Sequence, residues 1–263
     1  MPGMVSGALG FGGSGEFCYV ADYPKPETNM TVAAWVWADS RPGWASILKN
    51  WGDTSGGQFH FALYDTAGDL SIFVQQADGA FPNTREGVPF PLGSWQHVAF
   101  TCDGTLVRLY RNGIQVASVP YNGTLQAFPA MNCLGIGVKA DNTCAGASAL
   151  APGYWNGKMD DIGLWTRGLS SVEIQALYSS GLDGRGIASA SLAPTLRIQH
   201  AGANLVFSWP EAPLGRGFIL QASPILPAGS WTPVGIALTV SNGRCSVTVS
   251  AVSAGNKFYR LRQ

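Results

Sequence analysis

The sequence predicts an all-β protein made of two antiparallel units in tandem, and three observations carry that prediction. Thirty-four Gly and 16 Pro among 263 residues place a turn former at about every fifth position. Between those turn formers the apolar residues come in short runs that alternate with polar ones, the period of a half-buried strand. Only 12% of the chain is Asp, Glu, Lys or Arg, while 46% is hydrophobic and 11% aromatic; an average soluble domain carries about 25% charge. Long Ala/Glu/Lys/Leu-rich runs are missing, which excludes a helical bundle or coiled coil, and the apolar content is enough for a packed core, which excludes disorder.

Charge and length of apolar runs remove further classes. Sixteen basic against 16 acidic residues give formal net charge +0 and a pI near 6.8, so no global field draws the chain to nucleic acid or to anionic lipid. No apolar stretch reaches the ~18 residues a membrane span needs, so no membrane insertion is expected. The first residues, Met1-Pro2-Gly3-Met4-Val5-Ser6-Gly7, have neither the basic nor the apolar region of an export signal. Either a signal has been removed, or the chain is a fragment, or it reaches its destination without one.

In chain order, strands are expected at residues 16–20, 30–37, 45–49, 59–65, 70–75, 95–102, 106–111, 114–119, 134–138 and 159–165. The pair 106–111 and 114–119 meets at Asn112-Gly113, the strongest hairpin signal, because both central positions of a type I′ turn need positive φ. One helix interrupts the pattern. Ser170-Ser171-Val172-Glu173 has the form of a capping box, Ile174, Leu177 and Tyr178 give an apolar face, and Gly181 is the expected stop. Residues 183–194 are rich in small residues and read as a linker. They separate a first unit, residues 1–182, from a second at 195–263. The second has strand signals at 195–199, 205–209, 218–222, 232–236, 245–249 and 258–262, with turns at the spacing of a small immunoglobulin- or fibronectin-like sandwich. Trp209, Trp231, Phe207, Phe218 and Phe258 are the residues expected to build its core.

Cys18, Cys102, Cys133, Cys144 and Cys245 are odd in number and have no zinc-type spacing. Cys133 and Cys144 have ten residues between them and can form a local disulfide in an oxidising compartment; Cys18 with Cys102 is a second conceivable pair. Cys245 alternates with Val247 and Val249 and reads as a small buried hydrophobe.

Four stretches of the first unit resemble one family. Residues 7–20, with Gly7-Ala8-Leu9-Gly10-Phe11-Gly12, resemble the opening strand of the laminin-G-like, concanavalin A-like jelly rolls. Met30-Thr31-Val32-Ala33-Ala34-Trp35-Val36 resembles their second motif, and Gly93-Ser94-Trp95-Gln96-His97-Val98, followed by Arg111-Asn112-Gly113, their central signature. Gly157-Lys158-Met159-Asp160-Asp161-Ile162-Gly163-Leu164-Trp165, running on to Ser170 and Glu173, resembles the closing strand and short helix. The second unit is similar to small β domains that end many secreted bacterial proteins. The resemblance implies a jelly roll at 1–182 and one structural Ca2+ held by Asp160 and Asp161 with backbone carbonyls of the N-terminal Gly-rich turns. It also implies a framework hydrogen bond for His97.

Some members of this fold cleave glycosides, with paired carboxylates on one strand in a Glu-x-Asp-x-(x)-Glu pattern. The chain has no such strand, and its adjacent Asp160 and Asp161 point to opposite faces of an ideal strand. Nor is there a Gly-x-Ser-x-Gly nucleophile elbow. His60, within Phe59-His60-Phe61, sits either on a solvated face or at a ligand.

The remaining functional hint is aromatic. Trp44, Trp51, Phe81, Tyr154 and Trp155 lie in Gly/Pro/Asn-rich segments expected to be loops, where sugar rings could stack on them. Trp35, Trp37, Trp95 and Trp165 fall inside strands and are expected in the core. The reading is a non-catalytic binding or adhesion module for extracellular or cell-surface glycan or glycoprotein. The alternatives are a structural subunit that contacts neighbouring copies in an extracellular or virion assembly and, behind it, a divergent glycoside hydrolase.

Overall fold

A computed structural model describes the chain except for residues 54–55, 128–130, 190–195, 211–217, 227–229, 242–243, 252–255 and 263. It divides into two compact units, Met1–Ala190 and Ser191–Gln263. The first consists of β1 (Leu9–Gly12), β2 (Cys18–Val20), β3 (Met30–Ala38), β4 (Ser46–Trp51), β5 (Gly57–Tyr64) and β6 (Asp69–Val74), then β7 (Asn83–Pro89), β8 (Trp95–Cys102), β9 (Leu106–Arg111), β10 (Ile114–Pro120), β11 (Leu134–Ile136), β12 (Asn156–Trp165) and the helix α1 (Ser171–Leu182). The strands form two six-stranded antiparallel sheets, ordered β1-β12-β3-β8-β9-β10 and β2-β11-β4-β5-β6-β7. Together they make the concanavalin A-like jelly roll.

Period-2 alternation decides what each sheet buries. Phe59, Phe61 and Leu63 of β5 meet Val32, Ala34 and Phe100 of the opposite sheet in one core. Phe100 lies 5.1 Å from Phe59 and 5.3 Å from Phe61 between ring centroids. The turn at Asn112-Gly113 has both φ values positive, 51° and 79°, and sets Ile114 opposite Arg111. Two strands of the first unit carry no periodicity signal, β1, which only the resemblance of residues 7–20 to an opening strand indicates, and β7. β1 is a four-residue Gly-rich edge, and β7 carries Arg85, Glu86, Gly87 and Pro89 with little burial, so neither shows an apolar alternation.

Helix α1 begins as expected, with the Ser170 and Glu173 capping box formed and Arg167 paired to Glu173 at 2.5 Å. Its end differs. The helix runs through Gly181 to Leu182, and a Cβ at Gly181 would stand 2.2 Å from Trp35 Nε1. Gly181 is therefore there for close approach to the sheet rather than for a stop. Tyr178 stacks on Trp35 at 5.6 Å, so Trp35 is buried under the helix on the outer face of its sheet. Trp37 and Trp95, farther along that face, and Trp165 are only half-buried and not core. Trp37 instead meets Trp95 edge-on, with Lys158 over its ring.

His97 is also corrected. Its backbone N–H donates to Asn112 Oδ1, but both ring nitrogens are buried without a hydrogen-bond partner, and the ring packs against Trp35 and Tyr178. The linker assignment moves as well, because residues 185–189 still pack on the first unit. Arg185 N donates to Ser180 O and Ile187 N to Asp161 Oδ2. The rest of the expected linker, residues 190–194, lies outside the described residues.

The second unit has a four-stranded sheet, β13 (Arg197–Ala201), β14 (Asn204–Pro210), β18 (Arg244–Ser250) and β17 (Thr239–Ser241). A three-stranded sheet holds β16 (Thr232–Pro233), β15 (Ile219–Ser223) and β19 (Phe258–Arg262). Phe207, Trp209, Leu220, Cys245 and Val247 form its core. Phe218, Trp231 and Phe258 are half-buried rather than central, and Arg260 covers the Trp231 ring at 4.4 Å.

Burial holds His97 neutral, with its pKa lowered from 6.5 to about 3. The unfolded chain therefore takes up a proton below about pH 6.5 that the folded chain refuses, and stability falls as pH drops through that range. His97→Phe keeps an aromatic ring between Trp35 and Tyr178 and removes this term. Urea unfolding from about pH 7.5 to about pH 4.5 should show the variant losing less stability than the parent. A difference between the two that does not vary with pH would contradict the assignment.

Candidate functional site

The outward side of β5 carries His60, Ala62 and Tyr64, the residues between those that enter the core. Register places Lys49 of β4 opposite His60, and His60 opposite Phe73 of β6. This row of Lys49, His60 and Phe73 is the floor of a cavity of about 310 Å³, walled by Trp44, Trp51, Lys139 and Ala151. Trp44 lies 5.4 Å from His60, 4.9 Å from Tyr64 and 6.0 Å from Phe73; Trp51 lies 6.2 Å from His60 and 5.8 Å from Phe81. Phe81, 45% exposed, stands against the outer side of Trp51. Tyr64 stacks parallel to Phe73 at 6.1 Å and is covered on its other flank by Arg85, 4.5 Å from its centroid.

Three of the five aromatics expected at a ligand are thus together: Trp44, Trp51 and Phe81. The other two are not. Trp155 is fully buried, its indole N–H donating to Trp37 O and its ring set against Phe90, because the chain turns inward just before β12. Tyr154 stands against Phe17 and does not line the cavity. Lys49, Phe73 and Lys139 were missed. The strand alternation around His60 was the available signal, since a lysine and a phenylalanine on neighbouring strands share its face.

Local backbone geometry fixes the walls. Trp44 has φ of 60°, a left-handed value costly for a bulky residue. Two contacts hold it: Lys49 Nζ donates to Trp44 O at 2.8 Å, and Gly153 comes so close that a Cβ there would lie 2.3 Å from the same oxygen. Lys139 is carried by the segment between β11 and β12. The Cys133–Cys144 disulfide closes part of this segment, with a Cα–Cα distance of 5.8 Å. Lys139 N donates to Pro152 O, Ser148 N to Lys139 O, and Asn50 Nδ2 to the carbonyls of Met131 and Cys133. The second conceivable pair does not form. Cys18 and Cys102 are free thiols on different sheets.

The ionisable groups lining the cavity are all bases, and burial disfavours the charged form of each. Burial and the neighbouring Lys139 push the Lys49 ammonium well below the ordinary lysine range. Burial, then Lys49 and Lys139, push His60 well below 6.5, and its Nε2 is shielded from solvent without a partner. Lys139 is lowered by burial, against an opposing pull from Asp53. Among the described residues no carboxylate lines the cavity.

Asp160 and Asp161 do not fit the expected calcium site. A bulge interrupts the pairing of β12 with β3 after Asp160, and Asp161 there has φ of 49°, so the two carboxylates reach different segments. Asp160 Oδ2 accepts the Val5 N–H at 2.9 Å and Asp161 Oδ2 the Ile187 N–H at 2.8 Å. The N-terminal turn thus offers an amide proton where calcium would need a carbonyl oxygen. Among the described residues no group of three or more His, Cys, Asp or Glu side chains is placed to hold a metal ion.

Two outcomes follow from these contacts. Cys144→Ser, or reduction of the parent, should lower the unfolding free energy by about 3 kcal/mol, the loop-closure value for a loop of this size; urea curves unchanged by reductant would refute it. With Asp160 and Asp161 acting as clamps for backbone amides, the melting temperature should be the same in chelator and in millimolar calcium. A rise of several degrees with calcium would restore the ion.

Among known proteins, the family described as the Concanavalin A-like lectin/glucanases superfamily matches residues 12–175. Comparison with curated proteins finds no match. Among solved structures, the chain is similar to domain 4 of AbnA, a GH43 extracellular arabinanase from Geobacillus stearothermophilus in complex with arabinotriose. That match has a TM-score of 0.52 and 15% identity over 66% of this chain and 78% of that one. The CBM40 of the Ruminococcus gnavus IT-sialidase, bound to alpha2,3 sialyllactose, superposes with a TM-score of 0.53 and 16% identity over 65% of this chain and 96% of that one. The same module bound to alpha2,6 sialyllactose gives 0.51 and 16% over 64% and 95%. At such identities the structural matches speak for fold, whereas the family match spans more than half of the sequence: the chain belongs to the Concanavalin A-like lectin/glucanases superfamily.

Proposed function

We infer that the protein binds carbohydrate in the cavity on the outer face of the second sheet, and that it binds without cleaving. The observation that carries this reading is the placing of two indoles, Trp44 and Trp51, on either side of His60 around an opening of about 310 Å³. Ligand sites start at ~300 Å³, with mostly apolar walls and a few convergent polar groups. Indole faces suit the C–H faces of a pyranose, and the ammonium groups of Lys49 and Lys139 donate to its hydroxyls. The solved neighbours that hold arabinotriose and sialyllactose support the same class of ligand.

The lining supports binding over hydrolysis. Glycoside cleavage uses two carboxylates about 5–9.5 Å apart across the bond, and among the described residues the lining of this cavity contains neither Asp nor Glu. The disulfide at Cys133–Cys144 supports an extracellular or otherwise oxidising location. No helix among the described residues is long and apolar enough to cross a membrane.

Glycan-array binding followed by calorimetry tests the reading. Trp44→Ala and Trp51→Ala should each weaken binding by about tenfold or more, each removing one stacking surface worth ~1.5 kcal/mol, while circular dichroism stays that of the parent. Retention of full affinity in both variants would remove the cavity from consideration. Ordered higher assemblies that persist in both variants, with no glycan bound by the parent, would favour a subunit of an assembly instead.

A further inference from the structure

We propose that the cavity selects anionic sugars, and that Lys49 and Lys139 together receive a carboxylate or sulfate group of the ligand. This rests on the reading of the cavity as a saccharide site and names the chemistry it prefers. Lys49 is 1% exposed, in the middle of a strand whose neighbours are nearly all buried. A lysine so placed loses most of its hydration and, without a counter-charge, is costly to keep. Its Nζ has one protein acceptor, Trp44 O at 2.8 Å; the ammonium has three N–H donors. Lys139 lines the same space, and among the described residues neither lysine takes part in a salt bridge.

Elsewhere in this unit three buried or half-buried charges have an opposite charge beside them. Arg111 pairs with Glu86 at 2.5 Å, Arg167 with Glu173 at 2.5 Å, and Asp69 faces Arg85 at 3.7 Å. The cavity holds two lysines without a salt bridge, a shielded and unpartnered His60 Nε2, and no acid among the described residues of its lining. An oxyanion from the ligand supplies Lys49 with a counter-charge and adds to the pull that Asp53 exerts on Lys139. A sugar carboxylate and a sugar sulfate present the same chemistry to these groups.

Matched pairs test it by calorimetry on the full chain: oligogalacturonate against its methyl ester, and a sulfated galactan oligosaccharide against its desulfated form. In at least one pair the anionic member should bind about tenfold tighter or more, the usual scale of a charge-assisted contact, with the advantage shrinking at high salt. Lys139→Gln, at a half-buried position that leaves Lys49 in place, should reduce the ratio between the two members toward one. Equal affinity for both members in both pairs, or a ratio unaltered in Lys139→Gln, overturns the proposal. If Trp44→Ala also leaves binding of the neutral members intact, the saccharide site itself is elsewhere; if Trp44→Ala abolishes binding of the neutral members, that site stands and only its preference for anions fails.

Discussion

The first unit depends on one strand facing two environments. In β5, Phe59, Phe61 and Leu63 supply the core, while His60 lines the site and Tyr64 packs against its wall at Trp44. A slip of one residue would exchange the two sets, putting a histidine and a tyrosine in the core and three large apolar residues in water. A buried polar network at the start of β5 opposes that slip. Gln58 N donates to Asn50 Oδ1, Gln58 Nε2 to Pro26 O, and Tyr23 Oη to Gln58 Oε1. Such groups are satisfied in one register only, so the network specifies alignment more than it adds stability.

The same economy couples the floor of the cavity to its wall. Lys49 is on the floor, yet its ammonium holds the carbonyl of Trp44, and Trp44 is the wall. With Gly153 pressed against that carbonyl from the other side, the indole is positioned by backbone contacts rather than by packing of its ring alone. Changes at Lys49 and Trp44 should therefore be non-additive, as expected of residues that share a contact.

Much of the fold can be read directly from the chain because strand periodicity and turn chemistry are local. The strands at 95–102 and 106–111, the Asn112-Gly113 turn and the Ser170 capping box follow from neighbours within a few residues. What could not be read is set by distant partners. Trp155 looks like a loop aromatic until Trp37 O and Phe90 are found beside it, and Gly181 looks like a helix stop until Trp35 is found beneath it. The edge strand β7 has no apolar face to betray it. Of the site, the aromatic walls were visible as composition, but Lys49 and Lys139 acquire meaning only when β4 and the segment after β11 are brought to one face. Asp160 and Asp161 illustrate the reverse: matching residue types, with oxygens already engaged by amide protons.

The floor of the cavity is made from strand residues whose neighbours build the core, whereas much of its wall comes from the turn at Trp44 and from the disulfide-closed segment that carries Lys139 and leads on to Ala151. The fold constrains these two parts differently. Floor positions can change little without endangering the fold, but the walls can vary in length and residue type while the sheet stays as it is. The ligand preference of this unit is therefore open to change through loop substitutions alone, with the sheet and Lys49 left as they are.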